Sequence, residues 1–175
     1  MRRGLAAAIA VVLAGVFGAC DAIAQAVDKP AEVSVSGRAR VISSDVVEVS
    51  GKRFFLYGID AFEDAQTCFI NGKPWQCGSN AYRALQILAD EGPMTCVQRE
   101  DADRKRRTMT WGTCKIGSKD IAQELVRQGM AVALRDQSTD YVATEDAAKK
   151  ANAGAWAGNF VTPWDFRDQM RGITP

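Results

Sequence analysis

The 175-residue sequence contains no histidine. This absence excludes Ser-His-Asp and Cys-His hydrolysis, histidine-metal nucleases, and ribonuclease chemistry that uses a histidine general acid. Internal repeats and low-complexity tracts are also absent. Any hydrolytic chemistry in this chain must therefore rely on carboxylates, arginines and a hard cation that prefers oxygen ligands.

The chain also lacks a net charge once its N-terminal targeting segment is removed. Residues 1–26 have the pattern of a signal peptide, with a basic start, an apolar run over residues 5–17 and a small-x-small site at residues 24–26. Removing this segment takes away two of the 22 basic and one of the 21 acidic residues, so 20 of each remain. Net charge therefore gives no support for strong non-specific binding to nucleic acid, and any anion site must be local.

The targeting segment predicts an exported protein, either periplasmic or secreted. The apolar run is too short for a membrane helix, so we expect no transmembrane segment in the mature chain. A second interpretation is a lipoprotein acylated at Cys20, although Phe17 fits the aliphatic position of a lipoprotein box poorly. Residues 27–32 then form a short linker to the folded part.

Four cysteines remain after export, and their even number predicts two disulfides, with three possible pairings. A turn-rich stretch between Cys68 and Cys77 favours joining those two. Cys96 and Cys114 lie on two strands that we expect to be neighbours, which favours the second bridge. The rival interpretation is a zinc site, which the lack of histidine and of a Cys-x-x-Cys pair argues against.

Hydrophobic alternation and turn residues predict a mainly β domain of the α+β class. The expected strands cover residues 33–41, 46–49, 53–59, 94–100 and 108–116, and the third is apolar enough to be buried on both sides. The expected helices cover residues 78–90, capped by Gly78-Ser79-Asn80, then 121–130 and a region within 141–156, followed by a tail at 163–167. Five strands, a helix between strands 3 and 4, and C-terminal helices describe an OB-fold barrel.

Several motifs in this order resemble the staphylococcal nuclease (thermonuclease-like) family over roughly residues 33–167, which leaves 168–175 as a C-terminal tail. Residues 56–63, Leu-Tyr-Gly-Ile-Asp-Ala-Phe-Glu, are similar to the family's Leu-x-Gly-Ile-Asp-Ala-Pro-Glu. Residues 103–108 resemble its Asp-x-Tyr-Gly-Arg motif, and residues 125–131 its helix-ending motif. Tyr141 with Glu145, Gly154 with Trp156, and Pro163-Trp164 complete the order.

The resemblance implies a calcium-dependent phosphodiesterase that cuts DNA and RNA, and it implies a role for each matching residue. Asp45 and Asp60 would be calcium ligands, with the backbone carbonyl of Ala61 as a third. Glu63 would orient or deprotonate the attacking water. Arg107 would pair with phosphate oxygens in the transition state.

The chain departs from the family pattern at a position that matters for this chemistry. The family's arginine five residues before the second aspartate is replaced by Phe55, which we expect to be a core residue. Arg53 on the same strand face is a candidate replacement, as are three cations of the facing loop, Arg104, Lys105 and Arg106. The aromatic residues that often follow the Gly-x-Ala motif are also missing, and Trp156 and Trp164 are expected to be packing residues.

Two functions therefore stay open, together with a structural one. The first is an exported phosphodiesterase with weak or lost activity, which acts as a monomer on single-stranded nucleic acid. The second is a non-catalytic module that binds an anionic polymer, either nucleic acid or acidic polysaccharide, through residues 104–107. The third is a disulfide-braced scaffold for a protein partner.

Overall fold

The computed structural model describes residues 33–99 and 110–173, and its largest element is a β-sheet that closes on itself. The strands of this sheet, in chain order, are β1 (Ser34–Gly37), β2 (Ala39–Ser43), β3 (Val46–Val49), β4 (Lys52–Leu56), a later pair, and a short edge strand. The later pair is β8 (Met94–Arg99) and β9 (Trp111–Ile116), and the edge strand is β10 (Lys119–Asp120). Two small sheets lie outside this main sheet, one of β5 (Ile59–Ala61) with β11 (Ala131–Ala133) and one of β6 (Cys68–Ile70) with β7 (Lys73–Trp75).

The main sheet has the order β1-β8-β9-β4-β3-β2, with β10 added to β9. All pairs are antiparallel except β4 with β9, which run parallel. Because β1 and β2 are separated by Arg38 alone, the two ends of this order belong to one bent strand. The sheet is thereby closed as a barrel, and the predicted OB-type fold of the α+β class is confirmed.

Two of the predicted strands are divided in the structure. The expected strand 33–41 bends at Arg38, so β1 pairs with β8 while β2 pairs with β3. The expected strand 53–59 is interrupted at Gly58, whose φ of +81° favours glycine and whose Cβ, if present, would lie 2.8 Å from the Tyr141 ring. Beyond Gly58 the chain leaves the barrel sheet and pairs as β5 with β11. The third strand is also not buried on both sides, since burial alternates along β4.

The helices pack against this barrel, and the first one lies between the third and fourth predicted strands as expected. They are α1 (Cys77–Asp90), α2 (Ile121–Arg127), α3 (Val142–Lys150), a 3₁₀ turn (Gly154–Ala157) and α4 (Pro163–Met170). Helix α1 begins at Cys77, so the predicted Gly-Ser-Asn cap lies inside its first turn. No helix in the described residues has the length and apolar character needed to cross a membrane.

The apolar core is continuous from the barrel interior to the inner faces of α1 and α2. It includes Val47, Phe54, Leu56, Leu85, Met94, Leu125 and Val126. A smaller cluster beside it contains Phe62, Cys68, Cys77, Ala81 and Ala155. Burial of such side chains supplies the main driving force for folding, and the second cluster lies beneath the segment that carries Glu63.

Both favoured disulfides are formed. Cys68 is joined to Cys77, which ties the hairpin of β6 and β7 to the start of α1. Cys96 is joined to Cys114 across directly paired positions of β8 and β9. Each bridge therefore stabilises a local pair of elements, as the turn-rich spacing and the neighbouring strands predicted.

The predicted tail forms a helix with clear capping signals. Thr162 accepts a hydrogen bond from the backbone N–H of Asp165, and Pro163 occupies the first helical turn. Pro163 is the buried residue of α4, whereas the remainder of the helix is partly or fully exposed. Helix α4 therefore lies on the surface with little apolar packing to hold it.

Candidate functional site

The first acid of the site lies in the tight turn between β2 and β3. Ser43 donates a hydrogen bond from Oγ to Oδ1 of Asp45 over 3.0 Å. The backbone carbonyl of Asp45 accepts a hydrogen bond of 2.9 Å from Leu56, which fixes this turn against β4. Burial, together with the nearby charge of Asp60, raises the pKa of Asp45 to about 7. The carboxyl group of Asp45 is thus poised to gain or lose a proton near neutral pH.

The second acid lies in β5, the strand that the Gly58 turn directs away from the barrel sheet. Asp60 is directly paired with Val132 of β11, and its neighbour Ala61 is paired with Ala131. Asp60 is only 5% exposed, and Ala61 is buried. Because a buried carboxylate must be paired or hydrogen-bonded, the environment of Asp60 requires a cation.

The third acid, Glu63, is positioned through its backbone by a buried glutamine. Gln66 accepts a hydrogen bond from the Glu63 N–H through Oε1 and donates its own N–H to the Glu63 carbonyl, over 3.2 and 2.7 Å. The helix α1 also approaches closely, since a Cβ on Gly78 would lie 1.7 Å from the Glu63 carbonyl oxygen. Gln66 donates its Nε2 to the Val161 carbonyl as well, over 2.6 Å, and so links Glu63 to the segment before α4.

Arg167 of α4 supplies the cation that these acids require. Its Nη1 and Nη2 donate to the two carboxylate oxygens of Asp60 over 2.8 and 2.7 Å. Nη1 also donates to Oε1 of Glu63 over 2.6 Å. These hydrogen bonds, first those to Asp60, raise the pKa of the Arg167 guanidinium further above its usual value. Such bidentate Arg–carboxylate contacts are among the stronger polar interactions in proteins.

The three acids and Arg167 line one cleft of about 530 Å³. Phe55 lies in the same cleft and is half-buried rather than a core residue, with its ring 5.5 Å from the Trp111 ring. An adjoining cleft of about 480 Å³ shares Asp60 and Arg167 and adds Arg135. Trp164 lines both clefts and is 37% exposed, so it presents a ring to solvent rather than only packing.

The other predicted site residues fall outside this cleft or outside the described residues. Arg53 is exposed and pairs with Glu48 over 3.3 Å, beside Arg40, and it does not line the cleft. Arg104, Lys105, Arg106 and Arg107 belong to residues 100–109, which lie outside the described part of the chain. The structure therefore gathers Asp45, Asp60 and Glu63, and the cation that it adds to them is one that the sequence did not suggest.

A calcium ion fits these residues in chemical kind, because carboxylates and a backbone carbonyl are the oxygen ligands that calcium prefers. The spacing of the side chains, however, is not that of a formed metal site. Within residues 33–99 and 110–173, no three acidic, histidine or cysteine side chains are grouped closely enough to hold a metal ion. In this structure the oxygens of Asp60 are instead bonded to Arg167.

Comparison with known proteins decides the family of this chain. A family model described as staphylococcal nuclease homologue matches residues 53–158. The chain belongs to the staphylococcal nuclease homologue family. The succinoglycan biosynthesis protein ExoI of Rhizobium meliloti (strain 1021) is 34% identical over 136 residues, covering 74% of this chain and 68% of that protein. The family match includes Asp60 and Glu63, but it begins after Asp45 and ends before Arg167.

The sequence carries a helix-start signal that concerns two residues of the site, Trp164 and Arg167. Thr162-Pro163 with Asp165 is a helix start, and it places Trp164 and Arg167 three residues apart on one face of that helix. Gln66 gave no comparable signal, because its hydrogen bonds with Val161 and Gly78 depend on how separate segments fold together. The staphylococcal nuclease motif identified the acids, whereas their immediate partners come from outside it.

Proposed function

We propose that this protein is an exported, calcium-using phosphodiesterase of weakened activity that acts on nucleic acid. The observation that carries the proposal is the convergence of Asp45, Asp60 and Glu63 in one cleft of a member of the staphylococcal nuclease homologue family. Carboxylates of this kind can hold a hard cation and activate a water molecule, and the absence of histidine leaves them as the available general base.

In this proposal each acid has a separate task. Asp45 and Asp60, with the Ala61 carbonyl, would hold calcium, which when bound would act as a Lewis acid toward a phosphodiester oxygen. Glu63 would take the proton of the attacking water. The hydrogen bonds from Gln66 and the contact with Gly78 fix the Glu63 backbone, so its side chain is presented to the cleft from a rigid base.

The cations of the 100–109 segment complete the proposal. Arg107 would pair with phosphate oxygens as charge develops, and Arg104, Lys105 and Arg106 would hold the polymer, with Arg53 as a further contact. Export to the periplasm or outside the cell, and action as a monomer, belong to the same proposal. The two disulfides are compatible with an oxidising compartment.

Weak rather than full activity follows from Phe55. An arginine that stabilises a transferring phosphoryl group is worth on the order of 10³–10⁵ in rate, and Phe55 cannot supply that charge. Arg53 is directed to Glu48 instead of the cleft. Without a replacement of matching geometry, we expect slow, calcium-dependent cleavage.

The test is cleavage of single-stranded DNA by the mature, oxidised protein with and without calcium. Glu63→Ala should abolish the cleavage, because the general base is lost. Glu91→Ala is the matched control, because Glu91 follows α1 and pairs with Lys119 away from the cleft. This variant should cleave like the wild type. The proposal would be contradicted if the wild type does not cleave, or if Glu63→Ala still cleaves.

A second candidate is a non-catalytic module for an anionic polymer, either nucleic acid or acidic polysaccharide. The observation in its favour is the exposed ring of Trp164 beside Arg135 in the adjoining cleft, since rings next to guanidinium groups suit stacked bases or sugars. The similar protein ExoI is named for succinoglycan biosynthesis, which favours a glycan. This candidate predicts salt-sensitive binding without cleavage, weakened by reversing the charges of Arg104 and Arg106.

A further inference from the structure

The contacts of Arg167 have a consequence for any cation that approaches the site. Its guanidinium bonds both carboxylate oxygens of Asp60 and one oxygen of Glu63, over 2.6–2.8 Å. A metal ion bound to the same carboxylates would lie beside the positive guanidinium, and two cations this close repel each other. Binding of Arg167 and binding of a metal ion at these oxygens are therefore mutually unfavourable in this arrangement.

The charges in the cleft explain why Arg167 is held there. Asp60 is nearly inaccessible, and leaving a buried carboxylate without a partner is costly. Among the described residues, Asp45, Asp60 and Glu63 line this cleft together, and Arg167 is the cation that bonds two of them. The cluster thus demands positive charge, and α4 supplies it from a side chain that is 34% exposed.

Helix α4 has few other interactions that would oppose its departure. Among its residues only Pro163 is buried, and Met170 at its end is 72% exposed. The segment before the helix is held firmly, because Gln66 bonds Val161 and the Phe160 ring packs against Phe62 at 5.0 Å. Release of Arg167 could therefore move α4 about its beginning without disturbing the barrel.

We propose that Arg167 is an internal cation that competes with calcium for Asp60 and Glu63, so that calcium binds only when α4 releases these acids. This inference rests on the proposed function, because it concerns the regulation of the same site. Calcium then faces an occupied site, and its apparent affinity equals its intrinsic affinity multiplied by the fraction of molecules in which Arg167 is released. Competition of this kind adds to the loss caused by Phe55.

The test is a calcium titration of the mature, oxidised protein, with binding measured by calorimetry. Arg167→Met removes the charge and keeps an apolar stem, and it should bind calcium at least tenfold more tightly than the wild type. Arg171→Met is the matched control. Arg171 lies one turn further along, lines the same cleft and pairs with Asp168 at 3.7 Å rather than with Asp60 or Glu63. Its loss removes a charge from the cleft without freeing either acid, so it should change calcium affinity far less than Arg167→Met does. Equal affinity of Arg167→Met and the wild type would overturn the inference.

A second measurement uses the wild type alone, in case Arg167→Met does not fold. Amide hydrogen exchange of α4 should speed up severalfold on addition of calcium, while exchange in α1 stays unchanged. Exchange in α4 that is unchanged or slowed by saturating calcium would overturn the inference.

The two proposals can fail separately. If calcium affinity is insensitive to Arg167 while cleavage still needs calcium and Glu63, competition is wrong and the proposed function stands. If neither the wild type nor Arg167→Met binds calcium, competition and calcium use are both wrong.

Discussion

Two buried acids in this molecule are held by cations in opposite ways. Glu145 of α3 is 1% exposed and accepts hydrogen bonds from the Ala133 N–H, from Arg135 and from Lys149, over 2.7–2.9 Å. Asp60 is 5% exposed and, within the described residues, forms its ion pair with Arg167, while Asp45 and Glu63 share its cleft. In this part of the chain Glu145 thus pairs with two cations, whereas Asp60 and Glu63 share one guanidinium.

The pKa values follow the same division. Burial would raise the pKa of Glu145, but the hydrogen bonds from Lys149, Arg135 and Ala133 outweigh burial and lower it. At the other cluster, burial and acidic neighbours raise the pKa of Asp45 to about 7. A satisfied acid of the first kind stabilises the fold, whereas an under-neutralised group of the second kind is where a cation or a proton can be taken up.

Adding a cation to the acid-rich cluster should produce the largest change. Phe55→Arg places a guanidinium in the cleft, and we expect calcium-dependent cleavage of single-stranded DNA to rise on the order of 10²-fold. Phe55→Met is the control, because it changes the ring without adding charge. A cleavage rate for Phe55→Arg no higher than that of Phe55→Met would show that charge at this position is not what limits activity.

Removing the Glu145 carboxylate should have the next largest effect, which should be a loss of stability. Glu145→Ala leaves the Ala133 N–H without its acceptor and two cations without their partner, at a cost of about 2–4 kcal/mol in the free energy of unfolding. Asp146→Ala, at the exposed neighbouring position, should cost less than about 0.5 kcal/mol. Urea unfolding measures both, and similar losses would contradict the structural role of Glu145.

The smallest effect should appear in the pH dependence. Because the pKa of Asp45 is higher in the folded than in the unfolded chain, its contribution to stability falls as pH rises from about 4 to about 7. Asp45→Asn should remove that loss and raise the free energy of unfolding at pH 8 by about 1–2 kcal/mol, after allowance for solvent screening. Glu145→Gln should show the opposite sign, since Glu145 with its lowered pKa loses its stabilisation on acidification.

Unfolding curves at several pH values, measured for the wild type and both variants, separate these two acids. If Asp45→Asn is destabilised at pH 8 as much as at pH 5, the raised pKa of Asp45 does not govern its stability.

The sequence predicts those features that depend on neighbouring residues. Alternation along residues 33–41 locates the barrel strands β1 and β2, because half-buried strands repeat every two residues. The family motif likewise locates Asp60 and Glu63. Local spacing also predicts the Cys68–Cys77 bridge, which closes over a short turn.

Local sequence patterns could not predict which segments far apart in the chain come into contact. Arg167 is separated by 107 residues from Asp60, and the pairing of β5 with β11 depends on a turn at Gly58 that redirects the chain. The helical start at Thr162 was visible in the sequence, but nothing local indicates which groups Arg167 will meet. Short-range patterns therefore found the acids of the site and missed the cation that neutralises them.

The Cys96–Cys114 bridge has a consequence for proteolysis. It joins β8 to β9 on either side of residues 100–109, which include four consecutive basic residues that are sites for trypsin. A single cut there leaves both fragments covalently attached. A nicked protein would therefore migrate as one band on a non-reducing gel and separate into two only after reduction, so intact mass under oxidising conditions does not report an intact chain.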